Sequence, residues 1–347
     1  KSKNQKISIH FPNGIELFIK REDQLHPIIS GNKFRKLKYN LAEAKRLGYK
    51  KLLTFGGAFS NHIVAVAGAG KEFGFETIGI IRGEELQKKI EENPSLSVAQ
   101  QFGMKLVFVS RDAYRLKETH EFLEEMKSQF GDFYLLPEGG TNELAIKGCE
   151  EILSEDDIKF SHICTSIGTG GTISGIINSA GSHQNIIGFS SLKGDFLQND
   201  IAKFANQKNW SVNCEYHFGG YGKVTNELIE FINSFYLEHA IPLDPIYTGK
   251  RIFGIFDLIQ KDFFPPNSKI LAIHTGGLQG IAGMNLKLEK SPVLGLNYIS
   301  KSFFVKKLNK NIEIRYNNNL INFNNNYPCT DLNIFFTSIV DPLTEKE

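Results

Sequence analysis

The chain has 347 residues, of which 41% are hydrophobic, so it is long enough to bury a large core and to form two domains. Its formal net charge of +2 gives no electrostatic reason to expect a nucleic acid or a membrane surface as a partner. The four cysteines form no Cys-x-x-Cys pair and no cluster with histidine, which argues against a disulfide framework or a metal site. We therefore expect an ordinary globular protein.

The first residues, Lys1 to Lys6, are basic and polar, and no apolar segment follows them, so they do not resemble a signal peptide. No apolar run reaches the roughly eighteen residues that a membrane-spanning helix needs. Together with the cysteine pattern, which suits a reducing compartment, these features predict a cytoplasmic protein.

Short apolar segments alternate with segments of helical spacing along most of the chain. The predicted strands are Ile15–Lys20, Lys51–Phe55, Thr77–Ile81, Lys105–Val109, Phe133–Leu136, His162–Thr165, Ile186–Ser190 and Lys269–Ile273. The predicted helices are Lys36–Leu47, Ile63–Gly70, Leu86–Glu92, Tyr114–Phe130, Thr172–Ala180, Asn226–Ala240 and Gly249–Gln260. This alternation indicates an α/β fold whose parallel-rich sheets are covered by helices.

The character of the sequence changes after about Asn285. Asparagines crowd the stretch from Asn309 to Asn326, and no helix or strand period lasts long there. We interpret residues 286–347 as an Asn-rich C-terminal tail of biased composition and weak structure, outside the functional argument.

The first candidate for chemistry is the segment Ser30–Lys36, where a predicted strand gives way to a predicted helix. Lys33 can act as a Schiff-base nucleophile if burial or neighbouring cations lower its pKa. Arg35 and Lys36 are such cations, and either could also bind a phosphate. The alternative interpretation is a basic first turn on a solvated helix, which is the commoner meaning of this pattern when it stands alone.

The second candidate is Gly56–His62, which lies between a strand and a helix at the edge where α/β proteins bind ligands. Ser60 and Asn61 supply hydrogen bonds near a helix N-terminus, and such a position favours an anion such as a carboxylate. Serine and asparagine are also the preferred N-cap residues, so a purely structural cap is an equally good interpretation.

The third candidate is Ser166–Thr172, a glycine-rich segment after a strand and before a helix. Its glycines let backbone N–H groups converge on an anion, and its threonines add hydroxyl donors. The glycine spacing matches neither the dinucleotide fingerprint nor the Walker loop, which argues against an NAD-dependent dehydrogenase. The pattern predicts a binding loop for a small phosphorylated ligand, with a simple tight turn as the alternative.

Three further segments give weaker signals, because each is also typical of an ordinary turn. Gly219–Gly222 and Asp244–Lys250 each place a tyrosine in a turn from which it could reach a pocket, although loop tyrosines are usually packing residues. His274–Gly277 ends a strand and could close a pocket wall.

Taken together and in this order, these segments resemble the pyridoxal-phosphate (PLP) enzymes of the tryptophan-synthase-β type. Within them, the chain is similar to the group that contains 1-aminocyclopropane-1-carboxylate (ACC) deaminase and D-cysteine desulfhydrase. The resemblance runs from Ile15 to about Asn285, and the segments that carry it are Lys20–Asp23, Gly31–Lys36, Gly56–Gly57, Ser60–His62, Gly168–Thr172, Gly220–Gly222, Asp244–Lys250 and His274–Gly277.

The resemblance implies a two-lobed α/β fold of PLP fold type II. Residues 1–36 and 148–285 would form the large PLP-binding lobe, and residues 37–147 would form the small lobe. PLP would lie between the lobes. Members of this fold are usually dimers, so a homodimer is expected, with a small amino acid as the substrate and no metal.

The resemblance also implies a role for each matching position. Lys33 would bind PLP covalently and move the substrate proton, and Asn61 would hydrogen-bond the ring hydroxyl. Ser60 would hold the substrate carboxylate, and Tyr221 and Tyr247 would face the substrate. The phosphate would be held by Lys36 together with the loop residues Gly168, Thr169, Gly170, Gly171 and Thr172.

Thr248 would approach the pyridine nitrogen, and here the sequence departs from the ACC deaminases that it resembles, which carry a glutamate. A carboxylate keeps that nitrogen protonated and strengthens the electron sink, whereas a neutral hydroxyl suits elimination of a good leaving group. A thiol on the β-carbon is such a group, and the ring carbon of ACC is not. The sequence therefore favours D-cysteine desulfhydrase, with ACC deaminase and a non-catalytic PLP-fold binding protein as alternatives.

Overall fold

The structure of this protein is a computed structural model. It describes residues 2–194, 197–288 and 293, and it describes the backbone of three strands between residues 305 and 321. By the distribution of internal contacts, the chain divides into two compact units, residues 1–298 and residues 299–347.

Two sheets form the framework of the first unit. Its strands are β1 Asn4–Lys6, β2 Glu16–Lys20, β3 Lys51–Gly56, β4 Glu76–Arg82, β5 Lys105–Val109, β6 Tyr134–Leu136, β7 His162–Ile167, β8 Asn185–Ser190, β9 Trp210–Asn213 and β10 Lys269–Ile273. The six-stranded sheet has the order β1-β2-β10-β7-β8-β9, and the four-stranded sheet has the order β5-β4-β3-β6. Neighbouring strands are parallel except for β1, which is antiparallel to β2.

Helices connect the strands and cover the sheets. They are α1 Asn32–Arg46, α2 Asn61–Phe73, α3 Pro94–Gln101, α4 Arg111–Arg115, α5 His120–Phe130, α6 Glu143–Glu150, α7 Gly171–Ser179, α8 Leu197–Ala202, α9 Asn226–His239, α10 Thr248–Gln260 and α11 Gly280–Asn285. This architecture confirms the α/β fold class and the parallel-rich sheets that the alternating pattern predicts.

The central strands are buried on both faces, which is why they are continuous apolar runs in the sequence. In β10, Ile270 and Ala272 pack into one hydrophobic cluster, and Leu271 and Ile273 pack into another on the opposite face. The helices supply the other side of each cluster, so removal of this apolar surface from water is the main stabilising contribution.

Every predicted strand is present within two residues of its predicted ends, but two predicted helices are wrong. Residues 86–92 do not form an α-helix, because the 3₁₀ turn Glu84–Lys89 occupies this place. Residues 114–130 do not form one helix, because α4 ends at Arg115 and α5 begins at His120. Thr119 caps α5 by accepting a hydrogen bond from the Phe122 N–H at 3.3 Å.

Several elements were not predicted from the sequence, and some of them carry clear signals. Helix α3 begins at Pro94, and Asn93 caps it by accepting bonds from two backbone N–H groups at 3.0 Å. Asparagine followed by proline is a typical helix start. Strand β9 is short and lies at the sheet edge, and its pattern alone is too brief to read.

The second unit contains a small antiparallel sheet of three strands, β11 Val305–Leu308, β12 Asn311–Tyr316 and β13 Asn319–Ile321. These short strands lie within the Asn-rich segment for which the composition predicts weak structure, and that expectation stays a prediction. The remaining tail residues, apart from 286–288 and 293, lie outside the described residues.

A buried ion pair joins the N-terminal segment to the rest of the large sheet. The Lys20 ammonium donates to Asp157 Oδ2 at 2.7 Å, and both side chains are at most 2% exposed. Asp157 also accepts bonds from Asn4 Nδ2 at 2.6 Å and from the Ser154 N–H at 2.8 Å. The Ser154 hydroxyl is a fourth donor to this carboxylate, at 3.1 Å. Removal of the carboxylate leaves the buried Lys20 cation without a counter-charge.

We predict that Asp157→Ala lowers the free energy of unfolding by about 3–5 kcal/mol, because Lys20 then stays buried and unpaired. Urea denaturation followed by circular dichroism measures this loss. The matched control is Asp112→Ala, which breaks the exposed Asp112–Arg115 pair and should cost less than about 1 kcal/mol. Equal losses in the two variants would contradict the prediction.

Candidate active site

A cavity of about 590 Å³ lies where segments that follow strands of both sheets meet. The segments come after β2, β3, β6, β7 and β10, so the cavity is at the carboxyl ends of parallel strands, the usual ligand position in α/β proteins. Most of the site residues predicted from the sequence line this cavity. They are Lys33, Lys36, Ser60, Asn61, Gly168, Thr169, Gly170, Thr172, Tyr221 and Tyr247. Tertiary structure thus brings together groups that are separated by more than two hundred residues.

Lys33 lies on the first turn of α1, and its amine points into the cavity. The Nζ atom donates to the Gly139 carbonyl oxygen at 3.2 Å. Burial, with a further contribution from the charge of Lys36, holds the pKa of Lys33 well below its ordinary value. This shift favours the neutral amine, which is the state that covalent chemistry with a carbonyl compound requires.

Lys36 lies one helical turn further along α1 and is 2% exposed. Its Nζ atom donates to the Gly139 carbonyl at 3.0 Å and to the Thr141 hydroxyl at 2.9 Å, with Thr169 Oγ1 at 3.4 Å. Burial lowers the pKa of Lys36 to about 8. This ammonium contacts only neutral oxygens among the described residues, so it can still attract an anion.

The loop after β7 ends at the N-terminus of α7. Gly170 adopts a left-handed conformation with φ of 81°, which favours glycine, and no described side chain caps the helix there. The backbone N–H groups at the start of α7 are thus available to an anion beside Lys36. Gly171 itself lies outside the described wall of the cavity, although a Cβ atom there would be 3.2 Å from Lys36 Nζ.

Ser60 and Asn61 begin helix α2 at the cavity wall. Ser60 Oγ accepts a hydrogen bond from the Ile63 N–H at 3.3 Å, so the N-cap interpretation is confirmed, and the hydroxyl still has its own hydrogen to donate. The buried Oδ1 atom of Asn61 has no hydrogen-bond partner among the described residues. A buried amide without a partner is costly, so a polar ligand is expected here.

Tyr221 and Tyr247 lie together on another side of the cavity, with ring centroids 6.1 Å apart in an edge-to-face arrangement. Burial raises the pKa of Tyr221 and raises the pKa of Tyr247 well above its ordinary value, with the Asp244 carboxylate adding to both shifts. Both phenols are therefore protonated at neutral pH and can donate hydrogen bonds.

Thr248, which the resemblance places near the pyridine nitrogen of the cofactor, lies within the turn that presents Tyr247. It is fully buried, and it lies outside the wall that the described residues form. Its hydroxyl donates to Asp244 Oδ2 at 2.6 Å, and the same carboxylate accepts the Ile246, Tyr247 and Thr248 N–H groups at 2.8–3.0 Å. The approach of Thr248 to the pyridine nitrogen stays a prediction, and the structure shows its hydroxyl bonded to Asp244 within the turn that presents Tyr247.

The segment after β6 contributes hydrogen-bond acceptors to the site that were not predicted from the sequence. Gly139 supplies the carbonyl that accepts from both lysines, and Thr141 supplies a hydroxyl to Lys36. The run Pro137-Glu-Gly-Gly-Thr141 directly after a predicted strand is a signal that could have revealed this segment. Arg82 and Glu138 also line the cavity, and no motif in the sequence distinguishes them.

Three independent observations indicate that the wall of the 590 Å³ cavity fits pyridoxal phosphate. A buried amine of lowered pKa matches the aldehyde, an uncapped helix N-terminus beside Lys36 matches the phosphate, and the unpartnered amide oxygen of Asn61 matches a polar group on the ring edge. The lack of a side chain at Gly277 keeps room beside Asn61 for a ligand, since a Cβ atom at Gly277 would lie 2.8 Å from Asn61 Nδ2.

Comparisons with known proteins agree with this geometry. Residues 8–276 match the profile of the family described as pyridoxal-phosphate dependent enzyme. A mitochondrial protein of Arabidopsis thaliana named bifunctional D-cysteine desulfhydrase/1-aminocyclopropane-1-carboxylate deaminase is 33% identical over 312 residues, which covers 78% of this chain and 74% of that protein. A Pyrococcus horikoshii protein provisionally named 1-aminocyclopropane-1-carboxylate deaminase is 31% identical, covering 77% of this chain and 86% of that one.

Solved structures show the same fold. The structure described as an ACC deaminase homologue matches with a TM-score of 0.71 and 27% identity, covering 83% of this chain and 93% of that chain. A hydrogen sulfide-producing enzyme from Fusobacterium nucleatum shares the fold at 15% identity with a TM-score of 0.58. The chain belongs to the pyridoxal-phosphate dependent enzymes, has their fold type II and uses pyridoxal phosphate as its cofactor.

The described residues contain neither a metal-binding cluster nor a membrane-spanning helix. No group of three or more histidine, cysteine, aspartate or glutamate side chains among them could hold a metal ion. Likewise, none of the described helices has the length and hydrophobicity that crossing a lipid bilayer requires.

We predict that Lys33→Ala abolishes covalent attachment of pyridoxal phosphate, because no other amine on the described wall combines this position with so low a pKa. Borohydride reduction followed by peptide mapping should label Lys33 in the parent protein and nothing in the variant. Label on Lys36 instead would contradict the assignment.

We also predict that the affinity of the apo-protein for pyridoxine 5′-phosphate falls as the pH rises through about 8, the pKa of Lys36. Below that pH the ammonium is charged and attracts the phosphate. Above it the amine becomes neutral, and affinity should fall by up to about tenfold per pH unit. This ligand has no aldehyde to react with Lys33, so titration calorimetry reports the phosphate contact.

The control for this pH dependence is Lys36→Gln, which has no titrating amine at the phosphate position. Its affinity should be lower than that of the parent at neutral pH and should stay flat through pH 8. A parent protein whose affinity is equally flat would contradict the role of Lys36.

Proposed function

We propose that the protein catalyses β-elimination on D-cysteine, in which D-cysteine and water give pyruvate, ammonia and hydrogen sulfide. The observation that carries this proposal is the position of the Lys33 amine, whose pKa burial lowers, at the wall of a cavity that also presents two protonated phenols. The 33% identity to the bifunctional Arabidopsis protein supports the class of substrate.

The first step is binding of the substrate carboxylate by the N-terminus of α2. Ser60 retains a hydroxyl hydrogen to donate, and the first N–H groups of α2 point toward the same space. This contact would fix the Cα–H bond relative to Lys33, and correct orientation alone accounts for much of an enzyme's rate.

The next step is removal of the Cα proton by Lys33. A neutral amine can accept this proton, whereas an ammonium of ordinary pKa could not, so the burial that lowers the pKa of Lys33 prepares it as a base. Bound pyridoxal phosphate supplies the electron sink for the pair of electrons that the proton leaves behind.

The last chemical role belongs to Tyr221 and Tyr247. Because both phenols keep their protons at neutral pH, they can donate to the sulfur as the Cβ–S bond breaks and negative charge develops on it. Tyr247 is held by Asp244, whose carboxylate fixes the turn, so Thr248 supports this phenol indirectly through its bond to Asp244.

The alternative is deamination of ACC to 2-oxobutanoate and ammonia. The names of the Arabidopsis and Pyrococcus relatives favour it, as does the presence of both tyrosines on the wall. D-cysteine is preferred because position 248 is a threonine where the ACC deaminases that the chain resembles carry a glutamate, and an electron sink without a carboxylate partner suits a substrate that carries a good leaving group. A non-catalytic binding protein is a third possibility that turnover would exclude.

Incubation of the holoenzyme with D-cysteine should release sulfide and pyruvate in equal amounts, and Lys33→Ala should release neither. L-cysteine, D-serine and ACC, assayed in parallel for 2-oxo acid, define the specificity. If ACC gives 2-oxobutanoate and D-cysteine gives no sulfide, the alternative replaces the proposal, and if no substrate turns over, the binding-protein hypothesis does.

The homodimer and the cytoplasmic location are proposals that rest on the sequence and its resemblance. Light scattering of the purified holoenzyme measures its mass in solution and checks the first of them.

A further inference from the structure

A second cavity, of about 510 Å³, adjoins the first and shares Gly57, Ala58, Arg82 and Glu138 with it. Its other lining residues are Glu85, Leu86, Arg111, Tyr114, Arg115 and Lys117. The wall therefore carries four basic and two acidic side chains, so its charge is positive. A group that enters this space is selected for negative charge.

Most of these cations already have a partner. Arg111 pairs with Glu85, Lys117 lies 3.4 Å from Glu138, and Arg115 pairs at 2.8 Å with an aspartate on its own helix. Arg82 differs, because its guanidinium forms no ion pair among the described residues, although Glu138 lines the same two cavities. Its contact is with the Tyr114 ring, whose centroid is 5.8 Å from the Arg82 Cζ atom.

The position of Arg82 connects this unpaired charge with the reaction. Arg82 is the last residue of β4 and lines both cavities, and its Nη2 atom is 3.7 Å from the place that a Cβ atom on Gly57 would occupy. It thus lies next to the Gly57–Asn61 segment, which we propose to bind the α-carboxylate. A substrate anchored at that segment can extend past Arg82 into the second cavity.

We propose that Arg82 is a specificity-determining residue that binds an anionic, tetrahedral group carried on the leaving group of a β-substituted amino acid. The inference rests on the proposed β-elimination and extends it from D-cysteine to substrates such as S-sulfo-D-cysteine. The planar guanidinium forms paired hydrogen bonds with oxyanions. It is in no ion pair among the described residues, since the neighbouring Glu138 pairs with Lys117.

The reaction balances without an oxidant or a reductant. The Cα proton is transferred to Lys33, the Cβ–S bond breaks, and its electron pair leaves with sulfur as thiosulfate. Water then hydrolyses the remaining enamine to pyruvate and ammonia. S-sulfo-D-cysteine and water thus give pyruvate, ammonia and thiosulfate, whereas D-cysteine gives sulfide in the same sequence of steps.

Steady-state kinetics of the holoenzyme with S-sulfo-D-cysteine and with D-cysteine test this role. In Arg82→Gln, the ratio of kcat/KM for the sulfonated substrate to that for D-cysteine should fall at least about tenfold, because a charge-assisted pair of hydrogen bonds is lost. The matched control is Arg115→Gln, which removes the same charge from the same cavity and should leave the ratio within about twofold of the parent.

An unchanged ratio in Arg82→Gln would overturn the proposal. So would an equal fall in kcat/KM for both substrates, since this result would mean that Arg82 binds the α-carboxylate that the two substrates share. A similar fall in Arg115→Gln would also overturn it, because the effect would then be one of general charge.

Titration calorimetry of the holoenzyme separates a failure of this inference from a failure of the proposed reaction. The probes are 3-sulfopropanoate, which carries both negative groups, and propanoate, which carries the carboxylate alone. The parent should bind the first at least about tenfold more tightly than the second, and Arg82→Gln should lose that preference. If no β-elimination occurs but this preference depends on Arg82, the reaction fails and the anion site stands. If the preference is absent, the anion site fails regardless of turnover.

Discussion

The buried pair between Glu22 and Arg35 is the interaction on which the geometry of the site depends. Glu22 is fully buried and accepts bonds from Arg35 Nε at 2.8 Å and from Nη2 at 3.0 Å, so the end of the large sheet is tied to the first turn of α1. Beside it, Gly31 lies so close to the backbone of Thr275 that any side chain at Gly31 would collide with that carbonyl. These two contacts fix the start of α1, and Lys33 can therefore aim its amine at only one region, the cavity.

The electrostatics of the cavity follow from this placement. Two lysines one turn apart are buried with only neutral acceptors in contact among the described residues, and the pKa of each amine falls as a result. The arrangement costs stability in the absence of a ligand, because burial of charge without a counter-charge is unfavourable. An anionic cofactor relieves that cost, so the same burial that activates Lys33 also makes the site selective for a phosphorylated ligand.

Much of the site could be predicted from the sequence, because many residues that line the cavity follow strands in short glycine-rich or polar segments. Ser60, Asn61 and the loop after β7 are such residues. The role of Thr248 stays a prediction, because a resemblance assigns a position to a residue and not a direction to its side chain, and here the hydroxyl bonds to Asp244. Arg82 was not predicted at all, since an arginine at the end of a strand has no sequence signature until a neighbouring cavity is known.

The sequence by itself determined most of the strands and helices and the family, and it predicts Lys33 as the reactive lysine, because hydrophobic periodicity and local turn residues act over a few positions along the chain. Only the tertiary structure decided which strands share a sheet, that Gly139 faces both lysines, and that Arg82 lies between two cavities without a described carboxylate partner. Those facts depend on contacts between residues far apart in sequence. The burial that shifts the pKa of Lys33 exists only after the chain has packed, so no local pattern can encode it.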